Sequence, residues 1–154
     1  MGSLIQFAVE RFSAIRREEM DELFRVHWKE IALNQDRIPL DVDYEKYTEL
    51  DRKELLHIVT VRDEGRLVGY HCSVVTTHPH YKSSKMALVD VYFLLPDYRM
   101  TRAGINLFAY AEKTLRERGD IVKLLCSTKI HQDHSRIFQF LGWVETERTY
   151  SKIL

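Results

Sequence analysis

A chain of 154 residues with 45% hydrophobic residues and 23 basic against 23 acidic side chains has the size and composition of one globular domain, able to bury roughly 70% of its unfolded surface. Disordered, collagen-like and coiled-coil classes are excluded by composition, and the zero net charge argues against affinity drawn mainly from neutralising phosphates. No apolar stretch approaches the roughly 20 residues of a membrane span, and the N-terminus lacks a basic-then-apolar leader.

Gln6 stands where a myristoylation motif after Gly2 needs Ser or Thr. Leu4 to Val9 is an apolar run suited to open a sheet. Ser13 is placed to cap a helix, on which Met20, Leu23, Phe24, His27 and Ile31 recur at helical spacing. Asn34 to Pro39 breaks that pattern, and Asp43 can cap a shorter helix carrying Tyr44, Tyr47 and Leu50. Leu55 to Arg62 and Arg66 to Thr77 read as two strands joined by Asp63-Glu64-Gly65, a hairpin signal. Met86 to Leu95 is a third strand of that group, stopped by Pro96. From Thr101 the period turns helical through Ile105, Leu107, Phe108, Ala111 and Leu115, and Gly119 ends it. Ile121 to Cys126 reads as a strand covered on both faces. Asp133 to Leu141 reads as a last helix, and Trp143 to Ile153 as one or two closing strands. The order β-α-α-β-β-β-α-β-α-β implies an α/β (α+β) fold, a mixed sheet with helices on both faces in one domain spanning 1–154. Cys72 and Cys126 stand singly in apolar runs and read as reduced core thiols, which suits a cytoplasmic protein.

The strand Leu88 to Leu95 runs through Pro96-Asp97-Tyr98-Arg99-Met100-Thr101-Arg102-Ala103-Gly104 directly into a helix. Such a junction is an anion site, because the first-turn amides face outward and the helix dipole adds positive charge. Arg99 and Arg102 bring two guanidinium groups to it, and Gly104 allows close approach of a phosphate to the backbone. No Walker loop or dinucleotide fingerprint is present, so neither a nucleotide hydrolase nor an oxidoreductase is indicated.

At these residues the sequence resembles the GCN5-related N-acetyltransferase (GNAT) family. That family's acyl-CoA motif, Gln/Arg-x-x-Gly-x-Gly/Ala, lies between its fourth strand and third helix. Arg99-Met100-Thr101-Arg102-Ala103-Gly104 matches it at both ends and departs in the middle, where Arg102 replaces the first glycine. The likeness extends to Leu67-Val68-Gly69-Tyr70, to Glu112 within the helix and to Leu141-Gly142-Trp143 after the last one. It implies a mostly antiparallel central sheet and an N-acetyltransferase moving an acetyl group from acetyl-CoA to a primary amine of a small molecule or protein. It further implies that backbone groups of Phe93, Leu94 and Leu95 pair with the pantetheine arm. The amides from Met100 through Thr101, Arg102, Ala103 and Gly104 to Ile105 would hold the diphosphate with help from Arg99. His131 falls where the family often has an Asn touching the cofactor arm. A monomer or homodimer is expected.

Many members use a Tyr on the last helix as the acid, and that position here is Phe138, which has no proton to donate. Asp90 and Tyr92 are the substitutes. Two apart on one strand, they are expected on one face, with Asp90 buried and its pKa raised. The alternative is a structural carboxylate and a core tyrosine. His71, on the neighbouring strand beside the presumed cleft, is a third candidate base. His78, His80, His131 and His134 lack the paired spacing of a zinc site, so no metal is expected. Asp36, Asp41 and Asp43 are suited to attract a cationic amine. Two competing readings stand beside the enzyme. One is an acyl-CoA-binding module with little turnover, suggested by Phe138 and Arg102. The other is acetyl transfer on nucleic acid through a patch of Arg116, Arg118 and Lys123, against which the zero net charge weighs.

Overall fold

The computed structural model describes residues 4–154. Its strands are β1 (Ile5–Val9), β2 (Leu56–Asp63), β3 (Arg66–Thr77), β4 (Lys85–Leu94) and β5 (Ile121–Leu125). Its helices are α1 (Arg17–Ile31), α2 (Tyr44–Arg52), α3 (Ala103–Arg118) and α4 (Ser135–Phe140). The sheet runs β1-β2-β3-β4-β5 in sequence order. The first four strands form an antiparallel meander, and β5 joins β4 in parallel after the α3 crossover. The expected mixed, mostly antiparallel sheet is therefore the one observed. At the β2–β3 hairpin Glu64 and Gly65 have φ of 48° and 85°, the pair of left-handed residues whose twist matches the flanking strands.

Alternation along the strands divides the core into two layers. Ile58, Tyr70, Cys72 and Phe93 pack under Phe12, Met20, Leu23 and Phe24 on the α1–α2 side. Val59, Val61, Val68 and Leu94 pack under Ala103, Leu107 and Ala111 of α3 on the other. β2 and β3 are buried on both faces.

Three local expectations are corrected. Ser13 is not a helix cap: it lies in a tight turn, Phe12–Ala14, and α1 begins only at Arg17 with no side-chain cap bond. The turn drives Phe12 and Ile15 into the core, and burying two large apolar side chains outweighs a cap of about 1 kcal/mol. β5 is an edge strand covered on one face only, with Val122 68% exposed. Residues 143–154 form no strand. Glu145, Thr146, Glu147, Arg148 and Thr149 leave that segment no continuous apolar face to bury. Asp43, by contrast, caps α2 as expected, its Oδ1 accepting from the Lys46 amide at 2.8 Å.

Beneath α3 lies a cluster of polar side chains within the core. His57, His71 and Ser73 are buried. His57 Nε2 is 3.0 Å from Thr114 Oγ1, and the His71 ring meets Phe108 edge-on at 5.2 Å. Among the described residues neither His71 nitrogen nor Ser73 Oγ has a hydrogen-bond partner. Burial lowers His57 from the ordinary 6.5 to about 4 and His71 to about 3, and on the opposite layer it lowers His27 to about 4. A folded-state pKa below the unfolded one means the unfolded chain takes up the proton first. Stability is thus complete above pH 6.5 and is lost as pH falls toward these lower values. The part of that window above about pH 5 lies clear of the carboxylate range. The urea midpoint should fall measurably between pH 7 and about 5. A flat midpoint there would show that these rings are not held neutral.

Candidate active site

β4 and β5 pair only from Lys85 to Leu88, opposite Ile121 to Leu125. β5 ends there while β4 continues along β3 to Leu94, so the far edge of β4 is left without a strand partner. Leu95 N donates to Val68 O at 2.9 Å. In an antiparallel ladder, residues of the same parity turn their polar groups the same way. Phe93, in register with Tyr70, therefore faces β3 as Leu95 does, and Leu94 faces the open edge. Within the expected strip from Phe93 to Leu95, Leu94 is the residue whose amide and carbonyl face the open edge. Gly69, opposite Leu94, is required where it stands: an added Cβ would lie 2.7 Å from Phe93 O and 2.8 Å from Leu94 Cδ1.

The β3–β4 register steps from Cys72↔Val91 to Ser73↔Val89 and leaves Asp90 without a partner. This is a β-bulge, and it re-aims the side chains on either side of it. Asp90 turns to the α2 side, where its Oδ2 accepts from Tyr47 OH at 2.7 Å. Tyr92 turns to the α3–α4 side, against Phe108 at 5.0 Å, His134 at 5.6 Å and Phe138 at 6.4 Å. Its hydroxyl donates to Ser127 O at 3.1 Å and lies 3.4 Å from His134 Nδ1. The expectation that Asp90 and Tyr92 share a face is thus corrected, because the extra residue breaks the two-residue period. Asp90 is exposed rather than buried. Burial, with the Asp90 carboxylate beside it, pushes the Tyr47 hydroxyl up, so it stays a donor to Asp90. Burial raises Tyr92 to about 12. His71 lies under α3 with no exposed surface, away from this edge; its strand alternates it into the layer opposite Tyr70 and Cys72.

The turn from β4 to α3 is organised by Thr101. Its hydroxyl donates to Tyr98 O at 2.7 Å and accepts from the Ala103 amide at 3.1 Å. The Gly104 and Ile105 amides belong to the first helical turn and have no carbonyl in the helix to reach. A Cβ on Gly104 would meet only Ile137 Cδ1 at 3.7 Å, so the space before these amides is open. Met100 is 96% exposed and Arg102 is exposed beside it. Arg99 is engaged elsewhere, on Leu94 O and on Glu30 of α1. His131 is exposed in the loop between β5 and α4. This turn fits a diphosphate: free amides, one exposed cation, Arg102, and no side chain in the way.

The remaining candidates separate cleanly. Among the described residues no three His, Cys, Asp or Glu side chains come together as a metal site, and no helix is long and apolar enough to cross a membrane. Arg116 pairs with Glu112 at 2.8 Å, and Arg118 with Asp120 at 3.2 Å. Two of the three cations of the supposed basic patch are therefore neutralised. Asp36, Asp41 and Asp43 are exposed. Tyr47, Glu30 and His134 are site residues that the sequence reading did not single out as such. Tyr47 meets Asp90 across 43 positions and Glu30 meets Arg99 across 69, distances over which no local pattern carries a signal.

A splayed β4–β5 pair, a bulge in β4 and an amide-lined turn into α3 agree with a family-model match to "Acetyltransferase (GNAT) family" over residues 13–142. The chain belongs to the GNAT family. The family's general chemistry is acetyl transfer from an acyl-CoA. No curated protein matches the chain by sequence. Solved GNAT structures share its fold. Aminoglycoside N-acetyltransferase AAC(6')-Iy in complex with CoA superposes with a TM-score of 0.73 at 18% identity, over 100% of this chain and 97% of that one. Ribosomal-protein-alanine N-acetyltransferase from Brucella melitensis biovar Abortus 2308 gives 0.73 at 16%, over 98% of each chain. A Trypanosoma brucei acetyltransferase gives 0.69 at 16%, over 97% and 99%. In GNAT terms, Phe138 on α4 stacks on Trp143 at 5.3 Å and carries no hydroxyl, whereas Tyr92 brings one into the same aromatic cluster.

Thr101→Val removes both bonds that close the GNAT turn. It should cost about 1 kcal/mol of stability and weaken CoA binding, which chemical denaturation and calorimetric titration would measure. Unchanged CoA affinity would show that the turn holds its amides without Thr101.

Proposed function

We propose that this protein transfers an acetyl group from acetyl-CoA to a primary amine, with Asp90 as the base and Tyr92 as the acid. The observation that carries this is the bulge, which puts the two groups on opposite faces of β4 where its edge is open. The coenzyme supplies the activated acyl group. Gly104 and Ile105 amides, with Arg102, bind its diphosphate, and the open β4 edge receives its arm.

Asp90, held by Tyr47, takes a proton from the amine arriving on the α1–α2 side. The amine nitrogen bonds to the acyl carbon as the carbon–sulfur bond breaks. Tyr92 gives its proton to the departing thiolate from the α4 side, in the place of the hydroxyl that Phe138 lacks. A hydroxyl held near 12 is protonated at neutral pH, as an acid must be before it acts. Glu19 and Glu10 are tied to Arg62, whereas the exposed Asp36 and Asp41 are suited to draw a cationic amine from solution.

The acceptor is read as an amine of a small molecule or protein, in keeping with the aminoglycoside and ribosomal-protein enzymes that share the fold. The free thiols of Cys72 and Cys126 support a cytoplasmic protein. Asp90→Asn and Tyr92→Phe should each lower turnover by roughly 10²-fold or more while CoA affinity changes less than about two-fold. Thiol release from acetyl-CoA across an amine panel measures the first, calorimetry the second. Tight CoA binding by the wild-type chain with no amine turned over would make it a binding module instead.

A further inference from the structure

Arg99 heads the coenzyme motif, yet its guanidinium does not point at the open amides of α3. Its Nε donates to Leu94 O at 2.7 Å, and its two terminal nitrogens fork onto the Glu30 carboxylate at 2.5 and 2.8 Å. The same guanidinium lies over the Phe93 ring at 5.2 Å, and Phe93 stacks on His27 at 4.9 Å and 17°. Glu30 and His27 both belong to α1, so one helix clamps the cation and the strand end together. Arg99 in this position does two things. It occupies the Leu94 carbonyl, the backbone acceptor that β4 turns to its open edge. It is also withheld from the anion site a few residues away.

The Arg99 and Glu30 side chains are 34% and 25% exposed, so water and a dissolved anion reach both ends of the pair. A diphosphate at the α3 N-terminus offers Arg99 a partner of higher charge and the same bidentate geometry. We propose that Glu30 is a positioning residue that competes with the coenzyme diphosphate for Arg99, so that coenzyme binding breaks the Glu30–Arg99 pair and uncovers Leu94 O. The proposal rests on the reading of this turn as the CoA site. It makes the diphosphate the key to the slot. CoA, which carries one, opens the Leu94 acceptor for its own arm, while free pantetheine, which carries none, meets a carbonyl already taken.

Calorimetric titration of CoA and of pantetheine into the wild-type chain, Glu30→Gln, Arg99→Gln and the double variant tests this. Glu30→Gln should tighten CoA by about three- to ten-fold and leave pantetheine within about two-fold. In the Arg99→Gln background the same change should have no effect on CoA. Arg99→Gln alone should weaken CoA and tighten pantetheine by about three-fold, since it frees Leu94 O. CoA affinity unchanged or weakened by Glu30→Gln overturns the competition. So does an equal gain in the Arg99→Gln background, which would mark a simple loss of repulsion between carboxylate and phosphate. If Glu30→Gln does not fold, the pantetheine arm of Arg99→Gln decides, and no gain there overturns the proposal. A wild-type chain that binds no CoA at all would overturn the functional reading as well, a result distinct from CoA binding that is indifferent to Glu30.

Discussion

Everything at the site depends on the short reach of one parallel strand pair. β5 holds β4 from Lys85 to Leu88 and then stops, while the antiparallel ladder with β3 carries β4 onward to Leu94. A peptide edge without a partner is unfavourable unless water or a ligand satisfies it. In this fold the unpaired edge opens directly onto the N-terminus of α3, where a second set of polar backbone groups is unsatisfied for a different reason. Two deficits of hydrogen bonding, one from a strand and one from a helix, lie end to end. A ligand with an amide-bearing arm and a diphosphate head satisfies both.

The layers around that edge are packed for rigidity. Phe12 stacks on Tyr47 at 5.2 Å, and Tyr47 leans on Phe24 at 6.3 Å. The residue that orients Asp90 is thereby fixed by the same aromatic core that fixes α1 against the sheet. On the other side Phe108 of α3 touches Tyr92, Phe138 and Trp143 edge-on, so the Tyr92 hydroxyl is positioned by ring contacts rather than by a charged partner. Trp143 in turn donates to Glu112 at 3.0 Å. Side chains of α2 set the geometry on one face of β4 and those of α3 and α4 set it on the other.

Much of this was legible in the residues. The hairpin at Glu64-Gly65, the cap at Asp43, the α3 stop at Gly119 and the turn from Pro96 into α3 all rest on local chemistry that a single sequence displays. The amide-lined turn before α3 was legible for the same reason, since strand, turn and helix start are contiguous. What the sequence did not display was contact across distance. A glutamate 69 positions before Arg99 carries no mark of its partner, and Tyr47 reads equally well as one more apolar residue of a helix face. The misplacement of Asp90 has another origin. Period-two reasoning holds only while the ladder is unbroken, and no residue type in Val89-Asp90-Val91 announces a bulge. His71 misled in a similar way: its strand position was right, but whether it faced a cleft or the underside of α3 depends on which layer the alternation begins in.

The bulge at Asp90 also bears on what this sheet cannot lose. Deleting one residue between Val89 and Val91 would restore continuous pairing with β3, and by hydrogen-bond count alone the shorter strand would be the better one. It would leave Val91 to Leu94 on their present partners in β3 and take away the one carboxylate that the bulge turns to the α2 side, where Tyr47 holds it. A sheet repaired in this way would be more regular and would have no two-sided site. The irregularity is thus the one place where the sheet's regularity and the proposed chemistry are in direct opposition.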